Sequence, residues 1–142
     1  MDLDSALTFV GDHKHGVLTT LKADGRPQLS NILYHLGDDG LIRISVTDGR
    51  AKTANLRRDP RASLHVTRGD FYAYVVVEAQ AELTPTAAAP DDATVDELVA
   101  WYRDAAGEHP DWDEFRSTMV ADHRLMVRLR PERAYGMLAL PT

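Results

Sequence analysis

Two tight-turn signals, Ala23-Asp-Gly-Arg26 and Gly37-Asp-Asp-Gly40, constrain this chain more than any other feature of it. They separate three short β-rich runs, Gly16-Val-Leu-Thr-Thr-Leu21, Pro27 to Leu36 and Leu41-Ile-Arg-Ile-Ser-Val-Thr47. Asp-Gly between such runs is a strong hairpin signal, because glycine accepts the positive φ that a two-residue turn demands. Strands joined this closely pair antiparallel, and the expectation is a meander with Pro27 tolerated as the first residue of its strand. On the return strand Leu29, Asn31, Leu33 and His35 share one face, and Gln28, Ser30, Ile32 and Tyr34 share the other.

The flanking segments add helices. Leu3, Ala6, Leu7 and Val10 follow i, i+3, i+4, i+7 spacing, which gives a short amphipathic helix with Asp2 or Asp4 near its start. Further strands are expected at Ala62-Ser-Leu-His-Val-Thr67 and, after an Arg68-Gly-Asp70 turn, from Phe71 to Leu83. A connector, Thr84-Pro-Thr-Ala-Ala-Ala-Pro90, leads to a helix capped by Asp91 or Asp92, running to about Ala106 and closed by Gly107. A second short helix spans Trp112 to Ala121. Leu125-Met-Val-Arg-Leu129 is a further strand that Pro131 should end, and Ala134 to Leu138 adds a last one. The sum is a mainly β (α+β) chain: a six-stranded antiparallel, closed or nearly closed β-barrel with flanking helices, in one domain over 1–142. An open meander covered by helices is the alternative.

Composition narrows the function. The net charge of −6 argues against non-specific nucleic-acid binding, which needs a basic footprint. The chain has no cysteine, which excludes disulfides, thiolate metal sites and a cysteine nucleophile. No apolar run approaches a membrane span, and the acidic amino terminus lacks a secretory n-region. A cytoplasmic protein without membrane or nucleic-acid partners is the expectation.

Against this acidic background, Arg50-Ala-Lys-Thr-Ala-Asn-Leu-Arg-Arg-Asp-Pro-Arg61 gathers five of the 16 basic residues in twelve positions. A helix from Ala51 to Arg58 fits, stopped by Asp59-Pro60. Arg50, Lys52 and Thr53 then stand at its amino end, where backbone amides are free and the helix dipole is positive. The segment reads as a phosphate cradle for a small anionic ligand or as a solvated basic face. From Asp91 to Glu114, by contrast, nine acids meet one base, Arg103, and this lobe is expected on the surface away from any anion site.

Other constellations are thinner. The six histidines form no HExxH pair and no metal site is expected. Gly-x-Ser-x-Gly, Walker and Rossmann loops are absent. Gln28, Ser30 and Asn31 are small polar residues able to hydrogen-bond a polar ring lying on the sheet, or they face solvent. Asn31 shares a face with Leu29 and Leu33, where an unpaired amide would be costly. Tyr72 and Tyr74 share a strand face and either stack on a planar cofactor or pack across strands.

The Asp-Gly hairpin, the Pro27-Gln-Leu-Ser-Asn31 strand and the Arg50-Ala-Lys-Thr…Asn55-Leu-Arg-Arg-Asp-Pro-Arg-Ala-Ser63 string together resemble the pyridoxamine 5'-phosphate oxidase-like split-barrel flavoproteins. The chain looks most like their actinobacterial flavin/deazaflavin oxidoreductase B group, which uses coenzyme F420. The resemblance extends into Leu83-Thr-Pro-Thr-Ala-Ala-Ala-Pro-Asp-Asp92, Ala106-Gly-Glu-His109 and Asp111-Trp-Asp113. It implies an FMN-binding type split barrel and a homodimer with two cofactor sites at the subunit interface. It implies that Arg50 and Lys52, backed by Ala51 and Thr53, hold the cofactor phosphate, with Asn55 and Arg57 in the same string. The ring would lie near Gln28, Ser30, Asn31 and Ser45, with Tyr72 and Tyr74 of the other subunit completing the pocket. The implied activity is an F420H2-dependent hydride transfer to a small unsaturated organic substrate, with no catalytic residue assigned. Alternatives are an FMN-dependent pyridoxamine 5'-phosphate oxidase-like enzyme, a non-catalytic F420- or flavin-binding protein, and a heme-binding split barrel using His35 or His65.

Overall fold

In the computed structural model, which describes residues 1–139, seven strands and four helices follow one another along the chain. In order these are α1 (Leu3–Gly11), β1 (His15–Leu21), β2 (Pro27–Leu33), β3 (His35–Leu36), β4 (Ile42–Thr47), α2 (Ala51–Arg58), β5 (Arg61–Thr67), β6 (Tyr74–Leu83), α3 (Ala93–Ala106), α4 (Trp112–Ala121) and β7 (Arg124–Met137). The strands form one antiparallel sheet in the order β2-β1-β5-β6-β7-β4-β3. The sheet curls until β2 approaches β4 at its other end without pairing to it. The result is a split barrel of seven strands, one more than expected. No described helix is long and apolar enough to cross a membrane.

Two expected segments are redrawn, the first of them at Tyr34. The expected Pro27–Leu36 strand breaks there, because Tyr34 is buried, its amide donates to the Lys14 carbonyl and its hydroxyl donates to the Val10 carbonyl at 2.6 Å. Before the break β2 pairs with β1; after it β3 pairs with β4. At the other end of the chain, Pro131 does not end its strand. β7 runs through it, with Ala79 opposite Pro131 and Glu78 opposite Arg133, so the register slips at this point. A β-bulge absorbs the amide that proline cannot supply.

Two apolar clusters hold the fold. Inside the barrel, Leu18, Ile42, Ile44, Leu64, Val75 and Leu129 are among the side chains packed around Ala6 and Val10 of α1. Outside it, α3 and α4 bury Val95, Leu98, Val99, Trp101 and Phe115 against Met126 of β7. Asp92 caps α3 and Asp111 caps α4, each accepting a backbone amide three residues on.

An ionic latch fixes this helical layer. Glu97 of α3 accepts from Arg43 Nε at 2.9 Å and from Arg128 Nε at 2.8 Å, while Arg43 also pairs with Asp39 at 2.7 Å. Trp101 Nε1 donates to the Arg43 carbonyl at 3.0 Å. Burial pushes the Glu97 carboxyl up, but the hydrogen bonds from Arg128 and Arg43 outweigh it and hold the group below its ordinary value. Hydrogen bonding from Arg43 holds Asp39 down at about 2. Both values are depressed on folding, so the stabilisation is complete above the ordinary carboxylate range and is lost as pH falls toward 2. We predict that Glu97→Ala lowers unfolding stability by about 2 kcal/mol, since two partly buried guanidinium groups each lose a carboxylate partner and keep only the more exposed one, Asp39 for Arg43 and Glu82 for Arg128. Urea denaturation at neutral pH measures this. Repeated between pH 6 and pH 3, it should show a shallower acid limb for Glu97→Gln than for the wild type.

Candidate functional site

The amino end of α2 lies against the start of β7. Arg50 is the N-cap residue of α2 and no side chain caps the helix, so its first amides remain open. Lys52 is half-buried beside it, and Arg124, the first residue of β7, lines the same notch. Together with Val46, Thr47 and Asp122 these three cations line a notch of about 300 Å³. Among the described residues, no carboxylate lies within ion-pairing distance of Arg50, Lys52 or Arg124. Burial, then Arg50, then Arg124 lower the pKa of the Lys52 ammonium. Arg124 Nε is buried with no hydrogen-bond partner, and Nη1 of the same group reaches Ser45 Oγ only at 3.5 Å. Cations left unpaired in this way are arranged for an anion that the chain does not itself provide.

Lys52 and Arg124 also line a second cavity of about 370 Å³. Its polar side holds Asn31 and Ser45, and its apolar side holds Trp101, Tyr102, Phe115 and Met119 of α3 and α4. Asn31, Ile32 and Leu33 lie between this well and a broad trough of about 690 Å³ on the outer face of β1, β2 and β5. The notch, the well and the trough adjoin through shared residues, giving an anion site, a flat-walled slot and an open apolar basin in sequence.

The twelve residues expected at the site divide between this surface and the fold. Arg50 and Lys52 line the notch, and Lys52, Ser45 and Asn31 line the well. Ala51 is exposed on the first turn of α2. Thr53 is fully buried and its hydroxyl donates to the Thr47 carbonyl at 2.7 Å. Asn55 is buried as well, donating to Thr20 Oγ1 and accepting from Arg58. Arg57 forms an ion pair with Asp48 at 2.6 Å. These three side chains fasten α2 to its neighbours rather than open to a ligand. Gln28 and Ser30 lie on the inward face with Ile32, outside all three cavities.

Three expectations need correction. Asn31 does not lie on a buried face: Leu29 beside it is 59% exposed, so the cost of an unpaired amide does not apply. Tyr72 and Tyr74 do not share a strand, since β6 begins at Tyr74 and Tyr72 lies in the preceding loop, 63% exposed. Phe71 in that loop, at φ 73°, is the aromatic that lines the trough. The acidic lobe does not keep away from the anion site, because α3 and α4 wall the well. Its acids point elsewhere, with Asp96 on Arg116, Glu108 on Arg103 and Glu97 on the latch. Sequence reading missed Arg124, Trp101, Tyr102, Phe115 and Met119. The i, i+3, i+4, i+7 spacing of Val95, Leu98, Val99 and Tyr102 along α3 was the one signal available, and it signifies a buried stripe without saying what lies opposite.

A sequence model of the family described as pyridoxamine 5'-phosphate oxidase matches residues 3–138. Among solved structures, a conserved hypothetical protein of Mycobacterium tuberculosis is 27% identical, with 96% of this chain and 84% of that one covered at a TM-score of 0.74. An F420 reductase is 24% identical, with 86% and 89% covered at a TM-score of 0.60. A heme storage protein of Vibrio cholerae is 17% identical, with 96% of each chain covered at a TM-score of 0.69. The last two show the shared fold.

Removing the charge of Arg124 tests the notch. Arg124→Gln should move the Lys52 ammonium back toward its ordinary value, because one of the two neighbouring positive charges is gone. A pH titration of the Lys52 side chain by NMR measures this, and identical curves for variant and wild type would show that the two cations do not interact.

Proposed function

This chain belongs to the pyridoxamine 5'-phosphate oxidase family, and from that premise we propose that it is an F420H2-dependent reductase delivering hydride to a small unsaturated organic substrate. The observation that carries the reading is the set of Arg50, Lys52 and Arg124, without carboxylate partners, at the open amino end of α2. The residues fit a phosphate-bearing tricyclic cofactor. The notch offers charge and free amides to a phosphate, and the adjoining well offers flat aromatic walls with Ser45 and Asn31 as hydrogen-bonding groups. When bound, the deazaflavin supplies hydride chemistry.

The chain's own residues bind, orient and exclude water. Arg50 and Lys52 would hold the phosphate, and Arg124, which lines both the notch and the well, would serve both ends of such a cofactor. Trp101, Tyr102, Phe115 and Met119 keep water from one face of the well, which strengthens every electrostatic contact inside it. The acceptor takes the trough, whose open side is roofed by a second copy of the chain. That last point rests on the exposed apolar residues Leu29, Phe71, Tyr72, Tyr135 and Met137 of the outer face and its bordering loop. The second reading is an FMN enzyme with the same site, since FMN presents the same phosphate and a similar tricycle to the same cations.

We predict that F420 binds the purified protein at micromolar concentration or tighter and that Lys52→Ala weakens it about tenfold to a hundredfold, the usual worth of a charge-assisted phosphate contact. Fluorescence titration with F420 and, separately, FMN measures both. Affinity no better than millimolar for either molecule, or binding indifferent to Lys52, would sink the reading. Tyr135→Asp should turn a homodimer into monomers, as read by light scattering on an eluting sample.

A further inference from the structure

The trough contains a feature that the notch and the well leave unused. Among the described residues, no lysine, arginine or carboxylate lines it. Its surface is Val17, Ile32, Leu33 and Phe71, interrupted by Asn31, Thr67 and two imidazoles, His15 and His65. His15 is exposed at the start of β1. His65 is half-buried in the middle of β5, with its ring edge-on to Tyr74 and the centroids 5.6 Å apart. Three of the other histidines have partners: His13 bonds the Phe9 carbonyl, His109 accepts from the Asp111 amide, and His35 faces Asp104, while His123 lies outside the trough. The His65 ring has no hydrogen-bond partner among the described residues, and it opens on the trough.

Register fixes where His65 stands. Val17 pairs with Asn31 on one side and with His65 on the other, so Asn31 and His65 flank it on one face of three adjacent strands. Two strand spacings separate them, about 10 Å between backbones, and Asn31 is itself part of the well's wall. A small molecule lying over Val17 therefore has the well at one end and an unengaged imidazole at the other. The surface under it carries no permanent charge, so it favours an uncharged, largely apolar ligand.

We propose that His65 is the proton donor of this site and that the acceptor is an uncharged conjugated carbonyl compound, an enone or enal. The proposal rests on the reductase reading above. Two electrons reach the β-carbon as hydride from the reduced cofactor, forming a C–H bond there and breaking the C=C π bond to leave an enolate. The imidazolium of His65 then gives its proton to the α-carbon, completing the saturated carbonyl compound, and recovers a proton from solvent. The cofactor is oxidised by two electrons and releases its ring N–H proton to solvent. Protonation at carbon is slow and profits from a positioned acid, whereas protonation of a reduced quinone at oxygen needs none.

The test therefore compares two acceptors. For His65→Gln, kcat on 2-cyclohexenone should fall about a hundredfold or more while kcat on a quinone changes by less than about threefold, with F420 affinity kept. In cofactor-free wild type, adding cyclohexenone should shift the one histidine ring-proton resonance that the variant lacks. Independently of any variant, reduction of 2-methyl-2-cyclohexenone should give one configuration at the α-carbon. Equal loss with both acceptors, no loss with either, a quinone-only wild type, an unmoved resonance or a racemic α-carbon would each overturn the assignment. A Soret band removed by His65→Gln would overturn it too, by giving the imidazole to iron. Failure of the F420 and FMN titrations is a separate result, read before any turnover, and it retires the reductase reading itself.

Discussion

Positive charge held together against its own repulsion is the constraint on which the site depends. Two unit charges 6 Å apart at an effective dielectric of 20 repel by about 3 kcal/mol, and side chains free to move would separate. Here they are placed by rigid parts. Asn55 and Arg58 bind α2 to β1, and Thr53 ties it to the end of β4. Arg124 opens a strand paired to β4 along its first six residues. The backbone positions of the cations are therefore set by the fold, and burial first, then the charges of Arg50 and Arg124, hold the Lys52 ammonium below its ordinary value. An anion bound there would offset the repulsion among the three cations.

The helical layer shows a second use of charge. Its acids are many, yet each described one with a partner faces outward, caps a helix or enters the latch at Arg43 and Arg128. What α3 and α4 turn toward the well is aromatic and apolar, so a strongly acidic segment presents an uncharged wall beside the anion site, and only Asp122, just past α4, brings a carboxylate to the notch. The latch and the Trp101 bond to Arg43 hold that wall in register with the barrel.

Much of this was legible beforehand. The Asp-Gly turns, the i, i+3, i+4 stripes and the Asp59-Pro60 stop encode local structure, and α1, α2, α3 and α4 lie where those signals put them. Arg50 and Lys52 could be found because a helix end is itself a local feature. The failures were all of tertiary origin. Tyr34 breaks a strand because α1 offers it an acceptor 24 residues away in sequence. Pro131 survives within a strand because β6 supplies the other half of a bulge. Arg124 belongs to the notch because β7 pairs with β4, which no pattern within the chain announces. Alternation showed that β2 has two faces but not which one meets the core, and Asn31 was misjudged for that reason.

The long strand β7 has a consequence for how the molecule is made. It pairs with β4 on one side and β6 on the other, so it alone joins the β3–β4 pair to the other strands of the sheet. Synthesis proceeds from the amino end, and residues 124–137 are translated after all the other strands. Until they emerge from the ribosome, β4 and β6 each present an unpaired edge, and Arg50 and Lys52 wait without Arg124. Neither barrel closure nor assembly of the notch can occur while the chain is being extended through its first six strands. The nascent protein must carry two open sheet edges until residues 124–137 have been translated, which is the interval in which chaperone protection counts most.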